Sequence, residues 1–232
     1  MIVGELPILL LHGALGSRDQ LKPLANVLKP DHSVFRINFY GHGKAAPATH
    51  PFRLDAFADQ VADWMDRQER KRINIFGYSM GGYVALQLAR KHPEKVNRIV
   101  TLGTKLNWNP EGASKEINML NPKLIEEKVP AFAAMLKDRH GADHWREMLK
   151  RTAEMMLDLG DGAAWSESDF KEVNVPVKLM LGTSDQMVTQ AETERTAQWI
   201  SGATMQLLPD VPHPIEKIDP EMLGDRVSEF FR

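Results

Sequence analysis

Arg72-Ile-Asn-Ile-Phe76 runs into Gly77-Tyr78-Ser79-Met80-Gly81-Gly82, which opens onto Tyr83-Val-Ala-Leu-Gln-Leu-Ala89. An apolar stretch, a serine framed by glycines and an alanine–leucine helix pattern follow one another without a gap. The order predicts a strand that turns into a helix within a few residues and lifts Ser79 above the end of a sheet. Such a turn strains the serine backbone, and small residues two positions either side let the chains pass. The pattern G-x-S-x-G alone is weak, because Gly and Ser are common. The strand before it and the helix after it give it weight.

A serine hydroxyl is a poor nucleophile until a base takes its proton, and an imidazole base needs an acid to hold its tautomer. For this kind of turn the chain order is serine, acid, histidine. Leu181-Gly-Thr-Ser-Asp185 places Asp185 directly past an apolar run, and Leu208-Pro-Asp-Val-Pro-His213 places His213 past the last one. Of the eight histidines, only His213 lies after the final expected strand. Asp210 is a competing carboxylate, read here as a turn residue beside the base loop. Acyl transfer also needs two N–H donors aimed at one developing oxyanion. Met80, at a helix N-terminus, supplies one. The loop His12-Gly13-Ala14 supplies the other, through Ala14 or, failing that, Leu15. His12 itself is read as structural.

Outward from the turn, short apolar runs alternate with helical patterns, the rhythm of an α/β chain with a parallel sheet. Strands are expected over residues 7–11, 33–39, 72–76, 96–102, 177–181 and 204–208. Helices are expected over about 18–28, 54–70, up to 91 after the serine turn, 190–200 and 221–231. In the second, Phe57, Val61, Trp64 and Met65 share a face. Residues 104 to 173 break the rhythm with helical patterns alone. Pro122 and Pro130 read as helix starts, Gly141 and Gly160 as stops. Asp143 reads as the cap of a helix whose Trp145, Met148, Leu149, Met156 and Leu157 share a face. Residues 105–172 are therefore expected to form a helical cap on a core made of 1–104 and 173–232.

Composition narrows the class. The chain has 232 residues, 43% hydrophobic and 26% charged, a size and balance that suit one large globular domain. With 29 basic and 31 acidic side chains, nothing argues for nucleic acid as a partner. No apolar run reaches the roughly 18 residues of a spanning helix, and no positively charged segment precedes Leu6, so a secretory signal is not expected. The chain has no cysteine, which excludes a disulfide, a thiolate nucleophile and a Cys-based metal site. A cytoplasmic protein with no membrane partner is expected.

Leu-His-Gly-x-x-Gly-Ser at 11–17, Gly-His-Gly at 41–43, Gly-Tyr-Ser-Met-Gly-Gly at 77–82, Gly-x-x-Asp at 182–185 and His213 together resemble the α/β-hydrolase superfamily, in its serine-nucleophile branch with a helical cap. The similarity spans the chain except the cap, and motifs in a fixed order are far more specific than any one. It implies an α/β-hydrolase fold: a mostly parallel sheet of about six to seven strands, helices on both faces and a cap insertion. It also implies a Ser79–Asp185–His213 triad and no cofactor. Two features depart from the pattern. Asn38-Phe39-Tyr40 stands where relatives often carry Asp followed by Arg or Pro, and Ile2 to Glu5 could form at most a short edge strand.

Other signals are set aside. His140 and His144 sit at i, i+4 but lack the Glu of a zinc-protease helix, and they read as solvated cap surface. The charged run from Arg67 to Arg72 reads as a helix end in water. Trp108, just past a strand end, and Trp145 in the cap are expected to line a substrate pocket. The expected activity is hydrolysis of carboxylic esters or thioesters of small to medium apolar substrates through an acyl-enzyme. The alternative is a lyase or C–C bond hydrolase of the menaquinone or aromatic-degradation type, in which Arg139, Arg146 or Arg151 would hold a substrate carboxylate. A ligand-binding protein on the same fold would leave a complete triad without a purpose.

Overall fold

The computed structural model describes residues 6–45 and 50–232. Six strands form one sheet: β1 (Ile8–Leu11), β2 (Val34–Arg36), β3 (Ile73–Tyr78), β4 (Val96–Leu102), β5 (Val177–Gly182) and β6 (Thr204–Leu208). Their order is β2-β1-β3-β4-β5-β6, and every neighbouring pair is parallel. The chain therefore runs outward from β1 to β2, then returns to build the other half from β3. That reversal leaves a crevice at the carboxyl ends of β1 and β3, where open α/β sheets hold ligands. The edge strand considered for Ile2 to Glu5 lies outside the described residues.

Both faces of the sheet are covered, so its strands are apolar on both sides. Alternate residues serve the two faces. Ile8, Leu10, Phe76 and Val100 pack under α1 (Lys22–Leu28) and α10 (Pro220–Phe231). Leu9, Leu11, Ile75 and Ile99 pack under α2 (Leu54–Arg67) and α3 (Met80–Lys91). β2 is shorter than its apolar run. Beyond Arg36 the backbone finds side-chain partners instead of a strand. Phe39 N–H donates to His12 Nε2 at 3.2 Å. Gln60 donates to Asn38 O and accepts from Tyr40 N–H, both at 3.0 Å. The helix expected to reach Arg70 ends at Arg67, and Glu69 follows at φ 53°.

Between β4 and β5 the structure is helical: α4 (Pro110–Asn118), α5 (Pro122–Lys128), α6 (Pro130–His140), α7 (Trp145–Asp158) and α8 (Glu167–Lys171), with α9 (Gln190–Trp199) following β5. Asn121 caps α5 by accepting from Lys123 and Leu124 N–H, and Gly141 ends α6 at φ 93°. Three local expectations need correction. Asp143 does not cap α7, because His144 occupies the N-cap without a side-chain bond. The buried face of α7 is Trp145, Met148, Leu149, Thr152 and Met155, while Leu157 is exposed. Met156 is partly buried against the core, so Leu157 alone falls off the expected face. Gly160 does not stop α7; it lies inside a wide turn over Leu159–Ala163, where a Cβ would come within 2.5 Å of Ala113 Cβ. The backbone leaves helical angles at Asp161 and turns away at Gly162, φ 103°. One apolar cluster runs from the sheet through α3 into Leu136, Trp145 and Phe170. No helix among the described residues is long and apolar enough to cross a membrane.

Candidate active site

β3 ends at Tyr78, Ser79 adopts φ 51° and ψ −120°, and α3 begins at Met80. That conformation is rare for a residue with a Cβ and costs about 1–3 kcal/mol. The neighbours show why glycine is needed. A Cβ on Gly77 would lie 2.4 Å from Gly81 O, and one on Gly81 would lie 2.4 Å from Leu11 O. The turn is pinned by Ser79 N–H donating to Leu102 O at 2.8 Å and by Thr104 Oγ1 donating to Ser79 O at 3.0 Å.

Asp185 sits just past β5 and His213 just past β6. His213 Nδ1 lies 2.7 Å from Asp185 Oδ2, and the Asp185 side chain is 2% exposed. The other carboxylate oxygen accepts from Met187 N–H at 2.8 Å and Val188 N–H at 3.0 Å. Burial alone would raise the Asp185 pKa, but the His213 bond and charge and these two amides together hold it below the usual carboxylate value. Asp185 is therefore an anion and an acceptor, so His213 carries its proton on Nδ1 and keeps Nε2 free to accept. Asp210 is an exposed turn residue at φ 58° whose N–H donates to Thr183 Oγ1.

Two groups missed by the sequence reading support this pair. Tyr78, the residue before the serine, donates its hydroxyl to His213 O at 3.0 Å. Gly103, at the end of β4 with φ 57°, backs onto the pair: a Cβ there would lie 3.0 Å from Asp185 Oδ2 and 3.2 Å from His213 Nδ1. A glycine directly after an apolar strand was the visible clue, but only the fold shows what passes it.

Ser79 and His213 line one small, mostly apolar cavity of about 50 Å³, with Ala14, Met80, Trp108, Met155, Met156 and Leu159 among its walls. The loop after β1 lies close to the serine, since a Cβ on Gly13 would come within 3.1 Å of Ser79 Cβ. Ala14 faces the cavity, whereas Leu15, at φ 58°, is not among its walls. Trp108 lines the cavity, its indole N–H donating to Lys105 O at 3.2 Å. Trp145 does not. It is fully buried at the start of α7, flanked by Lys137 and Arg146 over its ring. A tryptophan at a buried helix position is core as readily as pocket, and here packing won. Lys105 and Glu116, 3.4 Å apart, form a charged pair in the cavity wall that no motif announced.

The arginines of α6 and α7 are held elsewhere: Arg139 by Leu15 O and Glu216, Arg146 by Glu126, and Arg151 by His50 O and Glu147. His140 is not solvated surface. It is 3% exposed, accepting from Gly43 N–H and facing Leu15 O, each at 2.9 Å. His12 and His42 are also fully buried, their rings 5.2 Å apart. Burial lowers the pKa of His12 to about 3 and that of His140 to about 4. Among the described residues no group of three His, Cys, Asp or Glu side chains is placed to hold a metal ion.

Comparison with known proteins extends the geometry. The chain is 24% identical over 248 residues to a Bacillus subtilis protein named "Putative 2-succinyl-6-hydroxy-2,4-cyclohexadiene-1-carboxylate synthase", covering 96% of this chain and 89% of that one. It is 24% identical over 230 residues to Lipase 3 of Moraxella sp., covering 91% and 72%. The crystal structure of the enol-lactonase from Burkholderia xenovorans LB400 superposes with a TM-score of 0.78 at 24% identity, covering 99% of this chain and 93% of that one. Residues 7–151 match the family described as alpha/beta hydrolase fold. That match takes in well over half the sequence, from the first strand into α7, and the chain belongs to this family.

Proposed function

We propose that this protein is a serine-dependent hydrolase of carboxylic esters or thioesters, with small to medium, largely apolar substrates. The observation that carries the reading is the 2.7 Å contact between His213 Nδ1 and Asp185 Oδ2 beside the cavity onto which Ser79 opens. Ser79 Oγ attacks the acyl carbon while His213 Nε2 takes its proton. Asp185 holds the imidazole and stabilises the imidazolium. The N–H groups of Ala14 and Met80 receive the oxyanion, the second with the help of the α3 dipole. As the tetrahedral species collapses, His213 returns the proton to the departing alcohol or thiol. Water, deprotonated by His213, then cleaves the acyl-enzyme and releases the acid. No cofactor enters. Residues 105–172 act as a cap subdomain on the core, supplying Trp108, Met155 and Leu159 to the acyl wall.

The lyase or C–C hydrolase reading asks for a cation in the cavity to hold a substrate carboxylate. Arg139, Arg146 and Arg151 are engaged outside it, and Lys105 faces Glu116 across the wall. Acyl transfer is therefore the better account. Initial rates with p-nitrophenyl acetate, butyrate and octanoate, for wild type and Ser79→Ala side by side, test it. Turnover lost with the hydroxyl supports the reading. No wild-type turnover, or turnover that survives in Ser79→Ala, sinks it.

A further inference from the structure

The carbonyl of Leu15, one residue past the expected oxyanion donor, accepts twice from the end of α6. Arg139 Nη1 and His140 Nε2 each approach it at 2.9 Å. The tautomer of His140 is dictated on its other side. Nδ1 accepts from Gly43 N–H at 2.9 Å, so the proton sits on Nε2 and points at Leu15 O. Burial keeps this ring neutral. Arg139 reaches further: its Nη2 donates to Glu216 Oε1 at 3.0 Å, the oxygen that also accepts from Gln20 at 2.9 Å. Glu216 lies in the single turn Ile215–Lys217, directly beyond His213. Two adjacent residues of the cap thus tie together the loop after β1, the Gly41-His42-Gly43 loop and the loop that carries the base.

Leu15 gives this arrangement something to hold. Its φ of 58° is a conformation that a leucine adopts only under constraint, and the carbonyl it turns toward α6 belongs to the same turn as Ala14, closed by Gly16 N–H donating to Gly13 O at 3.1 Å. Without α6, the peptide of Leu15 is free to relax, and the Ala14 N–H loses its aim. Apolar packing would suffice to dock a cap. A charged guanidinium and a tautomer-fixed imidazole converging on one carbonyl instead set its direction.

We propose that Arg139 and His140 are positioning residues for the oxyanion site, and that Arg139, through Glu216, keeps that site in register with His213. The proposal rests on the acyl-transfer reading above. It places transition-state stabilisation under the control of the cap, at a point that touches no substrate.

The test compares Arg139→Met, Arg139→Lys and His140→Phe with wild type, on p-nitrophenyl acetate and with an alkyl boronic acid as tetrahedral mimic. Arg139→Met should lower kcat about 10- to 100-fold with KM changed less than about 3-fold, the size expected of a displaced oxyanion donor. Affinity for the boronic acid should fall in parallel. Arg139→Lys, which keeps a cation within reach, should recover part of both losses, and His140→Phe should reproduce the kcat loss. If Arg139→Met keeps the wild-type kcat and boronic acid affinity, the proposal is overturned. It is equally overturned if KM alone rises, or if Arg139→Lys is as impaired as Arg139→Met while unfolding at the wild-type temperature. Should Arg139→Met not fold, Arg139→Lys and His140→Phe decide on the same readouts. Failure of the underlying reading looks different: wild type itself would show no Ser79-dependent turnover.

Discussion

His213 and Asp185 meet Nδ1 to Oδ2 at 2.7 Å, and Asp185 receives two backbone N–H groups on its other oxygen. The carboxylate is thereby held in one orientation and kept ionised, which leaves the imidazole a single tautomer. Asp185→Asn should turn an N–H toward Nδ1 and favour the wrong tautomer. We expect kcat to fall about 10³- to 10⁴-fold with little change in KM. Steady-state rates on p-nitrophenyl acetate measure this, and a loss below tenfold would remove Asp185 from the acid role.

Gly103 gives a second test, because it touches the same pair from behind. At φ 57° alanine is strained, and its methyl would press on Asp185 Oδ2 and His213 Nδ1 at 3.0 and 3.2 Å. Gly103→Ala should stay folded with a stability loss of about 1–3 kcal/mol, yet lose at least about tenfold in kcat. A thermal melt alongside kinetics separates the two effects. Unchanged kcat would mean that the pair yields without consequence.

Much of this was legible in the chain because the relevant signals are local. Strand, glycine turn and helix around Ser79 are contiguous, so periodicity and the steric demand for glycine locate them, and Asp185 and His213 each follow an apolar run. What stayed hidden depends on contacts between distant segments. His140 reads as a surface residue because its partners, Leu15 and Gly43, are about a hundred positions away. Trp145 and Trp108 look alike in sequence, and only the packing of α7 separates the core residue from the cavity residue. β2 stops at Arg36 short of the expected Phe39 for the same reason: the backbone of Phe39 and Tyr40 donates to His12 and Gln60 instead of a neighbouring strand.

The cavity beside Ser79 bears on the length of acyl group the proposed reaction would take. On the acyl-transfer reading, its space of about 50 Å³, a few times the ~10–15 Å³ that admits one water, favours a short acyl group over an octanoyl chain. Leu54, Met155 and Leu159 line both this cavity and an open groove of about 480 Å³ beside it. Wild type should therefore prefer acetate over octanoate. Met155→Ala opens the wall toward the groove and should raise kcat/KM for octanoate relative to acetate. Its core truncation costs about 2–5 kcal/mol of stability. An unchanged chain-length ratio would show that long acyl groups do not cross this wall.

His12, His42 and His140 form a buried cluster, with His42 in ring contact with both of the others. Burial, the largest cause for each, lowers the pKa from the ordinary 6.5 to about 3 for His12, to about 4 for His140, and well below 6.5 for His42. The unfolded chain binds protons at these positions from pH 6.5 downward, while the folded chain does not until much lower pH. Stability is therefore fully present above pH 6.5 and is lost as pH falls toward the folded values. Each histidine contributes a slope of up to ~1.4 kcal/mol per pH unit, so the three together give up to about 4. Carboxylates such as Asp185, lowered from 3.8, add their own loss only at lower pH. Urea unfolding at pH 7.5, 6.5, 5.75 and 5.0 should show little change over the first interval and a steep fall over the last two. A flat profile down to pH 5.0 would mean that these rings take up protons in the folded protein, and the neutral cluster that orients Leu15 and Phe39 would have to be abandoned.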